Sequence, residues 1–171
     1  MNCGENPINP SMYSSNLNTD WNSQNYALLE LSAKVEYALL ALLELAKHHD
    51  KKVPLTINEI AAKQPIPERY LEQILAQLRR AGLVQSQRGS KGGFVLINDP
   101  WQITLLEIVT LMEGERKEKE SSETQPLEKD LILEIWAKAN IASIEVLRSY
   151  TLQDLYQEAE TRTQNSPMYY I

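Results

Sequence analysis

The chain of 171 residues has a single cysteine, two histidines and no long hydrophobic run. One thiol, Cys3, can form neither an internal disulfide nor a thiolate cage for a metal. The longest apolar stretches, such as residues 38–43, are far shorter than the roughly 20 residues needed to span a bilayer. The N-terminus also lacks the basic and then apolar profile of a signal peptide. We therefore expect a cytoplasmic protein without a membrane partner.

The sequence also lacks the residue sets of common enzymes. No Ser/His/Asp or Cys/His set can be assembled, because Cys3 lies in a polar N-terminal segment and His48 and His49 are neighbours on different sides of a helix. Residues 89–93 are rich in glycine but lack the spacing of a phosphate-binding P-loop. We interpret the two histidines as an exposed helix end, and we predict a protein that is not an enzyme and that binds no metal or other cofactor.

The net charge of −6 argues at first against a nucleic-acid partner. The charge is unevenly distributed, however: residues 51–93 hold eight Lys or Arg and three Glu, a local net charge of +5, so the remainder carries −11. A polyanion responds to the surface it touches, because charges beyond about 10 Å are largely screened at physiological salt. The basic window is therefore a candidate nucleic-acid surface.

Several helix starts are marked by capping residues. Ser32 is an N-cap for a helix with apolar residues at i, i+3, i+4 and i+7. Thr56 and Glu59 form a capping box with a hydrophobic staple, and Thr104 and Glu107 repeat the pattern. The spacing predicts helices over residues 57–63, from Pro67 to residue 81, and over residues 104–112.

The order of the elements predicts a winged helix-turn-helix. A short helix, the turn at residues 64–67 and a longer helix that stops at Gly82 form the helix-turn-helix. Residues 83–88 then alternate like a half-buried strand, and a glycine-rich loop leads to a second strand at residues 94–97. The glycines of this loop predict residues with positive φ or a close approach of the backbone to another part of the chain. The fold class is mostly α with a small β-hairpin wing.

The C-terminal third predicts a long helix for pairing two chains. Residues 114–125 contain no apolar residue and read as a solvated linker. The helix from Pro126 has a wide apolar face that pairing with a second copy would cover. A short capped helix starts near Tyr150. We predict a disordered arm (1–25), a winged helix-turn-helix DNA-binding domain (26–113), a polar linker (114–126), a dimerisation helix with a short capping helix (127–160) and a tail (161–171).

The candidate DNA-binding residues lie on the longer helix and the wing. Gln73 suits the N6/N7 edge of adenine, Glu72 accepts from cytosine N4, and Arg69 pairs with guanine or phosphate. Tyr70 and Arg79 are placed for phosphate contact or packing. Arg88 and Lys91 bracket the glycine loop and suit a narrow minor groove. The full candidate set is Arg69, Tyr70, Glu72, Gln73, Arg79, Arg88, Ser90 and Lys91.

Four sequence blocks together resemble a known family. The blocks are Leu31, Ser32, Glu36, Tyr37, Ala38 and Leu39; Tyr70 to Gln73; Leu78, Arg79, Gly82, Leu83 and Val84; and Arg88, Gly89, Gly93, Phe94 and Leu96. They resemble the Rrf-type winged helix-turn-helix transcriptional regulators of bacteria over about residues 31–160. The resemblance implies a homodimer joined by the long helix, on a dyad-related promoter site of double-stranded DNA. It also implies that Arg69, Glu72 and Gln73 read bases and that Arg88 probes the minor groove.

The sequence departs from the family at one point. Members that carry an iron–sulfur cluster place three cysteines in the loop before the long helix, whereas residues 114–130 here contain neither Cys nor His. Such clusters need thiolate ligands. We therefore expect a regulator without a cluster, whose signal is a small-molecule effector or a protein partner. The alternative is a winged-helix protein-interaction or scaffold module without specific DNA binding, which the acidic remainder favours.

Overall fold

The computed structural model describes residues 30–89, 92–114 and 126–165. The predicted arm, Ser90, Lys91, most of the linker and the last six residues lie outside these ranges. The chain divides after Leu31, and the unit that begins at Ser32 carries the elements described below. These are α1 (Ala33–Ala46), α2 (Ile57–Lys63), α3 (Glu68–Arg80), β1 (Val84–Gln87), β2 (Gly93–Leu96), a 3-10 turn (Pro100–Gln102), α4 (Leu105–Glu113), α5 (Leu127–Ser149) and α6 (Leu152–Asn165).

Helix α1 packs against α2, α3, α4, α6 and the wing strand β2. It begins where predicted, because the Ser32 hydroxyl accepts from the Val35 N–H at 3.3 Å. Apolar residues on several sides are buried, so neighbours surround the helix. Its fully buried apolar residues are Val35, Ala38, Ala41, Leu42, Leu45 and Ala46.

The helix-turn-helix forms as the capping pattern predicts. The Thr56 N–H donates to the Glu59 carboxylate at 2.7 Å, and the Glu59 N–H donates to the Thr56 hydroxyl at 3.2 Å. The hydrogen bonds from the Thr56 N–H and hydroxyl hold the pKa of Glu59 below its ordinary value. Leu55 and Ile60, the predicted staple, are both buried. Gly82 follows α3 with a φ of +79°, as a helix stop requires.

The wing is an antiparallel hairpin in which Val84 pairs with Leu96 and Gln87 with Gly93. Leu55 forms a single-residue β-bridge with β2: its N–H donates to the Phe94 carbonyl at 3.0 Å, and the Phe94 N–H donates to the Leu55 carbonyl at 2.7 Å. In the described residues, six α-helices and this hairpin confirm the predicted fold class, a mostly helical winged helix-turn-helix.

The second predicted capping box is only half formed. The Thr104 hydroxyl accepts from the Glu107 N–H at 3.2 Å, but among the described residues the Glu107 carboxylate does not accept from the Thr104 N–H. Thr104 also lies opposite Thr151 in a β-bridge. The Leu105 N–H donates to the Tyr150 carbonyl at 2.9 Å and thereby joins the starts of α4 and α6.

Helices α5 and α6 follow the linker. No residue of α5 is buried, although the helix is rich in large apolar side chains. Helix α6 is capped by Thr151 and Asp154, whose backbone and side-chain groups bond reciprocally at 2.7 and 3.2 Å. It continues to Asn165, beyond the predicted boundary at residue 160, because its local hydrogen bonds extend into the segment that was expected to be a tail.

Candidate nucleic-acid interface

Helix α3 separates its apolar and polar residues cleanly. Its buried side chains are Leu71, Ile74, Leu75 and Leu78. Their i, i+3, i+4, i+7 spacing turns one stripe of the helix to the core. Arg69, Glu72 and Gln73 consequently lie on the exposed side, as the sequence predicts. The helix presents a hydrogen-bonding surface to solvent without an exposed apolar residue between these three.

Arg80 belongs to the same exposed stripe and is absent from the sequence-based set. Arg69, Gln73 and Arg80 are separated by four and then seven residues, which at about 3.6 residues per turn places them in one line along the helix. All three are exposed, and this line lies opposite the buried stripe. The sequence spacing already predicts Arg80 on this polar face, because positions i, i+4 and i+11 share a helical face, although Arg80 was not chosen as a DNA-binding candidate.

Tyr70 and Arg79 flank this stripe on opposite sides. The Tyr70 ring is 58% exposed and lies 6.1 Å from the Tyr37 ring of α1, at an interplanar angle of 58°. Such a tilted arrangement is favourable for aromatic pairs. The Arg79 guanidinium donates to the Ser86 hydroxyl of β1 at 3.5 Å, the long limit of a hydrogen bond. Each residue therefore has a packing contact and keeps an exposed surface, and the structure is compatible with both roles left open for them.

The tip of the wing requires glycine at more than one position. Gly89 has a φ of +116°. Gly93 has no room for a side chain, because a Cβ would lie 2.5 Å from the backbone carbonyl of Leu55. The loop thus shows both the positive φ and the close approach expected of it. Arg88 is exposed at the end of β1, whereas Ser90 and Lys91 fall outside the described residues.

A groove of about 540 Å³ runs between α1 and α3, beside the exposed stripe. Lys34 and Arg80 bring positive charge to it, and Tyr37, Tyr70 and Gln73 line its wall. The Lys34 ammonium donates to the Met112 carbonyl at 2.6 Å, which ties this side of the groove to α4. The polar surface of α3 therefore continues onto α1.

One carboxylate lies inside the protein behind this surface. The Glu44 side chain of α1 is 1% exposed. It accepts from the Lys47 ammonium at 2.9 Å, the Lys63 ammonium at 3.1 Å and the Gln64 amide at 3.2 Å. Burial raises the pKa of Glu44, but the hydrogen bonds from Lys47, Lys63 and Gln64 outweigh this effect and hold it below its ordinary value.

We expect Glu44→Gln to lower the free energy of unfolding by about 1–3 kcal/mol at neutral pH, because charge-assisted hydrogen bonds are lost. A carboxyl with a depressed folded pKa stabilises the fold above its unfolded pKa and loses this effect as the pH falls through the folded pKa. The difference in the free energy of unfolding between wild type and variant should therefore shrink below pH 4.5, the ordinary pKa of the Glu44 carboxyl. Urea unfolding followed by circular dichroism at several pH values measures this; a difference that stays constant into acid would contradict it.

The two histidines lie in the turn after α1 and have separate partners. The Nδ1 atom of His48 lies 3.0 Å from the Glu44 carbonyl, and the Nε2 atom of His49 lies 2.9 Å from the Asp99 carboxylate. Both side chains are about three-quarters or more buried, at 25% and 18% exposure, so the expectation of an exposed helix end was wrong. Hydrogen bonding to the backbone and to the segment after the wing holds them against the protein.

Within residues 30–89, 92–114 and 126–165, no group of three or more His, Cys, Asp or Glu side chains is arranged to hold a metal ion. Of the helices in the same residues, none combines the length and apolarity required to cross a bilayer.

Comparison with known proteins gives a consistent result. The family profile described as "Rrf2: Iron-dependent Transcriptional regulator" matches residues 31–158. The HTH-type transcriptional regulator CymR of Bacillus subtilis is 39% identical over 145 residues, which cover 84% of this chain and 100% of the relative. The putative regulator slr0846 of Synechocystis is 36% identical, with 78% of this chain and 91% of the relative covered.

The solved structures agree with this relationship. The structure titled "T. potens IscR" has a TM-score of 0.68 at 36% identity, with 83% of this chain and 97% of that chain covered. The profile match spans most of the protein, including the helix-turn-helix, the wing and α5. The chain therefore belongs to the Rrf2 family of transcriptional regulators.

Proposed function

We propose that this regulator is a homodimer that binds a dyad-related promoter site in a sequence-specific manner. The observation that carries this proposal is the surface of α3: its apolar residues are buried, whereas Arg69, Glu72 and Gln73 are exposed beside the wing. A recognition helix that enters the major groove reads base edges with such side chains. Arg88 at the wing is placed to contact the backbone or the adjacent minor groove.

The full proposed interface combines three kinds of contact. Arg69, Glu72 and Gln73 contact bases, Tyr70 and Arg79 contact phosphates, and Arg88, Ser90 and Lys91 of the wing contact the minor groove or backbone. The exposed position of Arg80 on the line of Arg69 and Gln73 adds it to this interface as a phosphate contact. The local charge of +5 in residues 51–93 supports binding to a polyanion.

Helix α5 supports the homodimer. Its side chains at Leu127, Leu131, Ile132, Leu133, Ile135, Trp136, Ile141 and Val146 are each at least half exposed. Monomeric proteins rarely leave so many large apolar side chains of one helix in water. A second copy offers the same apolar face, and a two-fold axis through it also matches a dyad-related DNA site.

We further propose that the regulator works without an iron–sulfur cluster, although the family profile is described as iron-dependent. The only thiol in the sequence is Cys3, and residues 114–130 contain neither Cys nor His. These donors do not fit a cluster, which needs several thiolates. The signal is then a small-molecule effector or a protein partner. Iron and sulfide analysis of anaerobically purified protein tests this, and a stoichiometric iron content with a visible absorption band would overturn it.

Selection of bound duplexes from random DNA tests the function directly. We expect enrichment of a sequence with dyad symmetry, and an affinity that falls linearly with salt on logarithmic axes. A selection that enriches nothing, with equal affinity for random and selected DNA, would overturn the proposal. It would favour a winged-helix module that binds protein.

We expect Glu72→Ala to change which sequence is preferred. Loss of a base contact should reduce discrimination at one position of each half-site by about 1–3 kcal/mol, or roughly 5- to 150-fold. This loss of discrimination is measured by repeating the selection and by determining affinities for single-base variants of the site. Glu68→Ala is the matched control, because it removes the same charge from the same exposed helix and should alter affinity for all duplexes equally. The same ranking of sites in both variants would contradict a base contact by Glu72.

A further inference from the structure

We propose that Glu44 is a positioning residue for DNA recognition: it holds the end of α2, and through it the start of α3, in a fixed orientation on α1. The inference rests on the proposed DNA-binding function. It assigns a role in that function to a residue that cannot touch DNA, because the carboxylate lies inside the protein.

Two of the three donors to the Glu44 carboxylate come from one short segment. Lys63 is the last residue of α2 and Gln64 is its C-cap, and they lie 3.1 and 3.2 Å from the carboxylate oxygens. Lys47, the third donor, belongs to the same turn of α1 as Glu44 itself. The contacts with Lys63 and Gln64 therefore connect two helices, whereas the contact with Lys47 does not.

The segment held in this way leads directly into the recognition helix. After Gln64, only residues 65–67 precede the first residue of α3, Glu68. The turn is short and stiff: it contains Pro65 and Pro67, and Ile66 between them is buried. A change in the direction of the α2 C-terminus therefore changes the direction of α3 by nearly as much.

The chemistry of the contact explains why a carboxylate is used here. Apolar packing between α1, α2 and α3 is strong but non-directional, whereas charge-assisted hydrogen bonds fix both distance and angle. A buried carboxylate is costly unless it is fully paired, and here two ammonium groups and an amide surround it. The arrangement thus favours one orientation of the α2 end over slightly rotated ones.

A matched pair of lysine variants of the full chain tests the role. Lys47 and Lys63 are similarly exposed, at 41% and 50%, and each donates to Glu44 at about the same distance. We expect Lys63→Met to weaken binding to the selected duplex by about fivefold or more, the size of a typical coupling between contacting residues. Lys47→Met should change it less than about twofold, and Lys63→Arg should retain wild-type binding. Equal losses for both methionine variants would overturn the proposal.

A direct contact between Lys63 and a phosphate would also weaken binding, so the experiment needs a second readout. If Lys63 acts through Glu44, the effects of Glu44→Gln and Lys63→Met should overlap in the double variant, and the salt slope should not change. Additive effects, with a slope reduced by about one for Lys63→Met, would instead identify a phosphate contact and overturn the proposal.

A readout without DNA separates this inference from the proposed function. Amide chemical shifts of residues 68–75 in the free protein should move in Glu44→Gln and Lys63→Met and stay in place in Lys47→Met. If they do so while no duplex is ever selected, the proposed DNA-binding function fails and the positioning contact stands. If wild-type protein selects a site but these shifts and affinities do not respond, Glu44 only stabilises the fold and the positioning role is wrong.

Discussion

Ile135→Glu is expected to turn the proposed homodimer into a monomer. Ile135 lies in the middle of α5 and is 66% exposed, between Ile132 at 63% and Trp136 at 69%. In a symmetric dimer each substitution occurs twice, and an unpaired carboxylate buried against apolar side chains costs several kcal/mol. We expect the dimer dissociation constant to rise at least about 100-fold. Sedimentation equilibrium measures this change.

The control for this variant introduces the same side chain elsewhere on the helix. Lys138 already carries a charged side chain in the wild-type helix, so a glutamate at this position introduces no charge where the helix had an apolar side chain. Lys138→Glu should therefore leave the dimer nearly unchanged. Loss of the dimer should also reduce affinity for a dyad-related site, because two half-sites no longer bind as one unit. A wild-type monomer at micromolar concentration, or an Ile135→Glu variant as dimeric as wild type, would contradict the prediction.

Gly93→Ala is expected to destabilise the fold by about 2–4 kcal/mol, because the added Cβ would overlap atoms that cannot move aside. A Cβ at Gly93 would lie 2.5 Å from both the carbonyl carbon and the oxygen of Leu55, which are backbone atoms held by the Leu55–Phe94 bridge. Either the bridge or the hairpin must shift. Urea unfolding measures the loss, and DNA binding well below the midpoint shows whether the wing has moved.

Gly82→Ala provides the comparison for Gly93. At Gly82 the φ of +79° disfavours a side chain, but a Cβ would meet no atom within 4 Å. The expected cost is therefore only the conformational one, about 1–2 kcal/mol. If Gly82→Ala proved more destabilising than Gly93→Ala, the close approach between the wing and Leu55 would not be a tight contact.

The parts of the fold that sequence predicted well depend on interactions within about one helical turn. The α2 helix occupies residues 57–63 as predicted, and the Thr56–Glu59 box and the Gly82 stop are present. Capping groups and glycine act on their immediate neighbours, so their effect can be predicted from the amino-acid sequence alone. The pairing of Thr104 with the distant Thr151 could not be predicted in this way, because it joins segments far apart in the sequence.

The sequence predicted which side chains of the candidate site are exposed, but not which contacts they make with other elements. The helical period identified Arg69, Glu72, Gln73 and Arg80 as exposed, although Arg80 was not among the predicted DNA-binding residues. Sequence spacing could not reveal the Tyr37–Tyr70 pair, because it joins residues of α1 and α3. The DNA contacts assigned to these side chains stay predictions until duplexes are tested.

The sequence by itself determined which elements this protein has, namely six helices, one of them long and apolar, and a glycine-tipped hairpin, because backbone preference and hydrophobic period are local properties. Only the folded chain decided which of those elements touch. A glutamate inside an apolar helix gives no sign of its partners, and Glu44 meets Lys63 and Gln64 because α1 and α2 pack together. Likewise, Gly93 is required by Leu55, which reaches it through tertiary packing rather than proximity in sequence.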